Sequence, residues 1–164
     1  MKTAVVYYSM SGNTEYAAGR IADSLGADLI RIEPVKTYPD SGARKFFWGG
    51  KSAVMGEKPQ LKPYAFAYSD YDRIVFGTPV WASTFAPPIR TFIEENRAVL
   101  KGKKIAVFTC SMGGGADKVV EKLKKFLAVE EFEETVSLIE PKNKPTPDNE
   151  RAIDIFCLDL KNTR

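Results

Sequence analysis

The chain has 164 residues, of which 44% are apolar and 27% charged, and carries a net charge of +3. That length suits one domain with a full core, the composition excludes a disordered chain, and no basic block interleaved with aromatics marks a nucleic-acid groove. There is no histidine, which removes Ser-His-Asp and Cys-His hydrolysis, His-ligated zinc and histidine acid–base catalysis.

In chain order, the apolar, β-branched and aromatic run from Thr3 to Tyr8 predicts a buried parallel strand over about residues 3–9. Ala18, Ile21, Ala22 and Leu25 then share one face of a helix over about 13–25. Between them lies Ser9-Met10-Ser11-Gly12-Asn13-Thr14, rich in hydroxyls and without Lys or Arg. A helix N-terminus offers free N–H groups and the positive end of a dipole, so such a turn can hold a phosphate without a cationic side chain. On its own it reads equally well as an ordinary capped helix start.

A second strand is expected over about 28–33, followed by a long connection from 34 to 72 that carries Pro39, Pro59 and Pro63. A connection of that length usually has a function or a short helix of its own. Residues 43–55 supply such a helix, expected to break at Gly49-Gly50. The neighbouring Phe47 and Trp48 fit either a lid or an anchor for the connection, and anchoring is the preferred role.

Further strands are expected over about 73–78, 104–110 and 135–140, with helices near 86–97, 115–128 and 147–161. Pro87-Pro88 suits a first helical turn, and Ile89, Phe92 and Ile93 give that helix its buried face. The lysines at 118, 122, 124 and 125 read as the solvated face of the next helix. Cys157 falls with Ile153, Phe156 and Leu160 on one face of the last helix, as a small buried hydrophobe. The spacing of Cys110 and Cys157 does not suggest a metal site, and no metal is expected.

Alternating strands and helices predict a doubly wound parallel sheet, and ligands bind such sheets at the carboxyl ends of the strands, where strand order reverses. The loops after the first, third and fourth strands therefore matter most. The first is the phosphate-type turn. The second, Gly77-Thr78-Pro79-Val80-Trp81-Ala82-Ser83-Thr84, carries an indole, and the third, Thr109-Cys110-Ser111-Met112-Gly113-Gly114-Gly115, combines hydroxyls, a thiol and three glycines. Together they suit a phosphorylated planar heterocycle.

The order and spacing of these segments, with Asp70-Tyr71-Asp72 before the third strand and Lys101-Gly102-Lys103-Lys104 before the fourth, resemble the flavodoxin-like FMN-binding family over nearly the whole chain. The resemblance implies an α/β three-layer sandwich over 1–164, with a five-stranded parallel sheet of order 2-1-3-4-5 and helices on both faces. It implies non-covalent FMN, with Ser9, Ser11, Gly12, Asn13 and Thr14 around the phosphate. Pro79, Val80, Trp81 and Ala82 would line the ring, with Trp81 over one face. Cys110, Ser111, Met112, Gly113, Gly114 and Gly115 would meet its pyrimidine edge and other face. The implied function is electron transfer between a reductase or dehydrogenase and a partner protein or small-molecule acceptor. The alternative is an NAD(P)H-dependent quinone or FMN reductase on the same fold. No residue reads as an acid–base catalyst.

Two departures stand out. Electron-carrier flavodoxins are typically acidic, whereas this chain is mildly basic. Many also place a glycine beside the flavin where a peptide can flip, and positions 79–86 contain none; left-handed backbone at another residue costs about 1–3 kcal/mol. Three rivals fail on residues. A low-molecular-weight tyrosine phosphatase needs Arg where Ala116 stands, a receiver domain needs a phosphoacceptor Asp where Gly77-Thr78 stands, and a nucleophile elbow is absent around Ser111. With no transmembrane-length apolar span and no signal-peptide pattern at the N-terminus, a cytoplasmic location is expected.

Overall fold

The structure is a computed structural model that describes residues 1–39 and 42–163, with residues 42–47 described by backbone alone. Thr3–Tyr7 forms strand β1, buried at every position. It pairs in parallel with β2 (Asp28–Arg31) on one side and β3 (Arg73–Trp81) on the other. β5 (Lys104–Ser111) lies beyond β3, and β6 (Thr135–Ile139) lies beyond β5, all parallel. This is the expected 2-1-3-4-5 order with one addition. The two-residue strand β4 (Thr84–Phe85) turns back antiparallel on the end of β3, so β3 runs past its expected end to Trp81.

The helices α1 (Asn13–Leu25), α2 (Gly42–Val54), α3 (Pro87–Leu100), α4 (Ala116–Leu127) and α5 (Pro147–Asn162) cover the sheet. Strand periodicity sorts the core into two faces. Val6, Phe76 and Val107 meet Ile89, Phe92 and Leu123 on one face, and Val5, Val75 and Phe108 meet Ile21, Phe156 and Cys157 on the other. The buried faces read from the sequence for α3 and α5 are the ones that pack: Ile89, Phe92, Ile93, Ile153, Cys157 and Leu160 are all within 1% of complete burial.

One sequence expectation fails. α2 runs unbroken through Gly49 and Gly50. A Cβ on Gly49 would lie 3.3 Å from the Trp81 ring, and one on Gly50 would lie 3.6 Å from the Ala82 Cβ. These glycines let the helix pack directly on the end of β3, and that contact outweighs their poor helix propensity.

The amino end of the sheet is closed by Arg73 and Glu133, both nearly buried. Arg73 Nε donates to Glu133 Oε2 at 2.5 Å, and a second nitrogen reaches Oε1 at 3.1 Å and the Thr163 carbonyl at 3.3 Å. At the opposite end, Asn149 of α5 acts on the edge strand as another strand would. Its amide donates to the Ile139 carbonyl at 2.8 Å and its Oδ1 accepts from the Ile139 N–H at 3.2 Å.

Candidate functional site

The loops after β1, β3 and β5 converge at the carboxyl end of the sheet on a cavity of about 610 Å³, within the usual range for a cofactor site. Of the fifteen residues singled out in the sequence, Ser11, Asn13, Thr14, Pro79, Val80, Trp81, Ala82, Cys110, Ser111, Met112, Gly113 and Gly114 line it. Ser9, Gly12 and Gly115 stand behind the wall. Ser9 Oγ accepts the Gly12 N–H at 3.2 Å, which closes the turn, and Gly12 enters α1 with φ of 91°. Gly115 begins α4, where a Cβ would come within 2.8 Å of Ser83 Oγ and 3.2 Å of Val80 Cγ1, so its lack of a side chain seats the β3–β4 hairpin.

At the start of α1, the N–H groups of Asn13, Thr14 and Glu15 have no acceptor within the helix. The Asn13 side chain does different work. Its Oδ1 accepts from the backbone N–H of Lys142 at 2.9 Å and of Asn143 at 3.1 Å, and its Nδ2 faces Ser11 Oγ at 3.4 Å. Asn13 thus ties the hydroxyl-rich turn to the segment between β6 and α5. That segment also supplies the charge the turn lacks, since the Lys142 ammonium lies 2.8 Å from where a Gly12 Cβ would be. The turn has no cation of its own in sequence, yet the fold brings one beside it.

Trp81 lies at the cavity wall in an aromatic cluster. Its ring meets Tyr8 edge-on at 5.6 Å and Tyr38 edge-on at 5.1 Å, with Gly49 of α2 behind it. Burial raises the Tyr8 and Tyr38 hydroxyls above the usual tyrosine range, so both stay neutral. The indole is therefore fixed on several sides, which suits a wall against a flat ligand. Trp48 is 46% exposed, with the Lys51 ammonium 5.2 Å from its ring. The Phe47 side chain lies outside the described residues.

Past Trp81, Ala82 and Ser83 form a two-residue hairpin turn with φ of 48° and 57°. Left-handed backbone at both centre positions is the mirror-type turn that fits strand twist, usually built with Asn-Gly or Gly-Gly. The missing glycine therefore does not keep this loop out of the left-handed region. Packing against Gly115 and Gly50 holds it there.

Cys110 is buried, and burial pushes its thiol up to about 12, partly offset by a hydrogen bond with Thr14. A thiol held protonated is no nucleophile. Among the described residues no group of His, Cys, Asp and Glu could hold a metal ion.

Four wall residues were not singled out in the sequence: Gly50, Ser83, Glu140 and Asn143. Ser83 lies inside the quoted loop after the third strand. Glu140 and Asn143 follow the last strand, and the same carboxyl-end rule would have found them had that loop been weighed with the other three.

A parallel α/β sheet with an anion-type turn, an aromatic wall and a glycine-rich loop at one carboxyl-end cavity defines a nucleotide-cofactor domain of the doubly wound class. The flavodoxin family model matches residues 2–140, and the chain belongs to that family. Among solved structures, it is similar to a flavoprotein in complex with FMN from Lactobacillus acidophilus NCFM, at 21% identity over 94% of this chain and 97% of that one, with a TM-score of 0.74. A candidate flavoprotein from Bacteroides eggerthii DSM 20697 matches at 25% identity over 99% of both chains, with a TM-score of 0.74. Oxidised flavodoxin 1 from Bacillus cereus matches at 18% identity over 100% of both, with a TM-score of 0.56. No helix among the described residues is long and apolar enough to cross a membrane.

Proposed function

We propose that the chain folds as one domain that holds FMN non-covalently in the carboxyl-end cavity and passes electrons between a donor and an acceptor. The observation that carries this reading is the convergence of three chemically different walls on one cavity of about 610 Å³. Ser11, Thr14 and the free N–H groups of α1 suit the phosphate, with Lys142 adding charge behind Gly12. Pro79 to Ala82 and Cys110 to Gly114 suit a flat ring, the first through the clamped Trp81 and the second through open backbone. When bound, FMN supplies the redox chemistry, and the protein supplies binding, orientation and exclusion of water.

The carrier is favoured over an NAD(P)H-dependent reductase by two features. No second glycine-rich βα fingerprint offers a site for a nicotinamide nucleotide. The Ala82-Ser83 turn already has the left-handed backbone that the sequence alone made costly. The test is anaerobic reduction of the reconstituted protein, first stepwise with a chemical reductant and then with NADH and NADPH. The carrier is reduced by the chemical reductant and oxidises neither nucleotide at a catalytic rate. Rapid NAD(P)H oxidation coupled to a quinone or to free FMN would replace it with the reductase.

A further inference from the structure

Trp81 stands in the cavity wall with two tyrosines edge-on to its ring, Tyr38 at 5.1 Å and Tyr8 at 5.6 Å. The two tyrosine rings lie 6.3 Å from each other. Phenylalanines would pack there as well, since ring edges and faces carry the contact. Indole and phenol are also side chains that give up one electron to a strong oxidant. A neutral phenol does so readily only if its proton leaves with the electron, because the phenol radical cation is a very strong acid. Burial keeps both hydroxyls protonated. What separates the two tyrosines is the route open to that proton.

The Tyr8 hydroxyl makes no hydrogen bond among the described residues. The Tyr38 hydroxyl lies 3.4 Å from Oγ of Ser52 in α2. Ser52 has one hydroxyl proton and donates it in a short hydrogen bond to Glu57 Oε2, which leaves its oxygen to accept from Tyr38. The Glu57 N–H donates to the Ser52 carbonyl at 3.1 Å and so seats that carboxylate beside the serine. Ser52 is buried and Glu57 is exposed. A buried hydroxyl thus bridges a half-buried phenol to a carboxylate in water.

We propose that Trp81, Tyr38, Ser52 and Glu57 form a relay that carries an oxidising equivalent out of the cavity and delivers its proton to the surface. A radical one-electron oxidant in the cavity takes an electron from the Trp81 indole and is itself reduced to its anion. Tyr38 returns one electron to the indole. The Tyr38 proton passes to Ser52 Oγ as the Ser52 proton passes to Glu57 Oε2. Trp81 and Ser52 end as they began, Tyr38 becomes a neutral phenoxyl radical, and Glu57 becomes a carboxylic acid that can lose its proton to solvent. No bond between heavy atoms forms or breaks. The oxidised site is moved off the wall that faces the ligand. Tyr8, though in ring contact with the same indole, stays outside the relay because its proton has no acceptor. The relay goes beyond the cofactor reading and needs no flavin, so the two stand or fall separately.

The test is pulse radiolysis of the purified full chain with the azide radical, an oxidant that favours indole. A Trp48→Phe background leaves Trp81 as the lone tryptophan. The indolyl absorption should decay and the phenoxyl absorption rise at one shared rate that does not depend on protein concentration. Tyr38→Phe should remove that shared step, and Tyr8→Phe should leave its rate unchanged. Glu57→Gln should slow it by about tenfold or more, because an amide is a far weaker base than a carboxylate. Transfer that survives Tyr38→Phe, or that Tyr8→Phe abolishes, overturns the proposal, as does an unchanged rate in Glu57→Gln. Should Tyr38→Phe fail to fold, the unsubstituted relay decides the matter in heavy water. A coupled proton makes the shared step slower there, and an equal rate in both solvents overturns the proposal.

Discussion

The two ends of the sheet are built on opposite terms. At the amino end the polar groups satisfy one another: Arg73 and Glu133 form a buried bidentate pair, and the Lys2 N–H reaches Asp72 at 2.8 Å. Among the described non-glycine residues, left-handed backbone there falls at Ala128, which caps the end of α4, where that conformation is usual. At the carboxyl end it falls at Ala82, Ser83 and Glu140, none of which caps a helix. One end is finished in itself. The other holds strained backbone in the loops around the cavity.

That contrast can be broken most violently at the finished end. Arg73→Ala leaves Glu133 buried without its main partner and should cost about 3–5 kcal/mol of stability, read by chemical denaturation. The FMN affinity of the molecules that remain folded should not change. At the other end, Gly49→Val drives a side chain into the clamped Trp81 and should cost about 1–3 kcal/mol. Its signature is a changed Trp81 emission in a Trp48→Phe background, with weaker FMN binding.

The comparison sharpens with substitutions that relieve strain. Ala82→Gly, Ser83→Gly and Ala128→Gly should each raise stability by about 1 kcal/mol or less in thermal unfolding. Ala128→Gly should leave flavin binding alone, whereas the two hairpin changes should loosen it, because that strain positions the ring loop. The smallest effect is expected from Lys142→Gln. Its exposed ammonium contributes less than about 1 kcal/mol, so FMN should bind a few-fold more weakly at low salt and equally well at high salt. Riboflavin, which lacks the phosphate, should not register the change.

Most of the sheet was legible because its strands are short apolar runs set between helices of clear period. The misses share a cause: packing across the fold overrode a local signal. Gly49-Gly50 reads as a break and is instead the surface on which α2 meets Trp81 and Ala82. Ala82-Ser83 lacks the residues that announce a hairpin, so β4 was not expected, yet Gly115 and Gly50 press the turn into shape from other elements. Lys142 could not be placed beside Gly12 from sequence, since about 130 positions separate them and the bonds to Asn13 that join their loops are long-range. The phosphate-type turn was legible as a loop, and its charge was not.

The most direct measurement is a titration of the purified protein with FMN, followed by flavin fluorescence, beside the variant Ser11→Asp. The account predicts one FMN per chain with strong quenching by the wild type. It predicts a folded Ser11→Asp protein that binds FMN about a hundredfold more weakly or not at all, because a carboxylate at the turn repels the phosphate. Equal FMN binding by the two proteins would contradict it, since the turn that opens α1 would then not hold the phosphate.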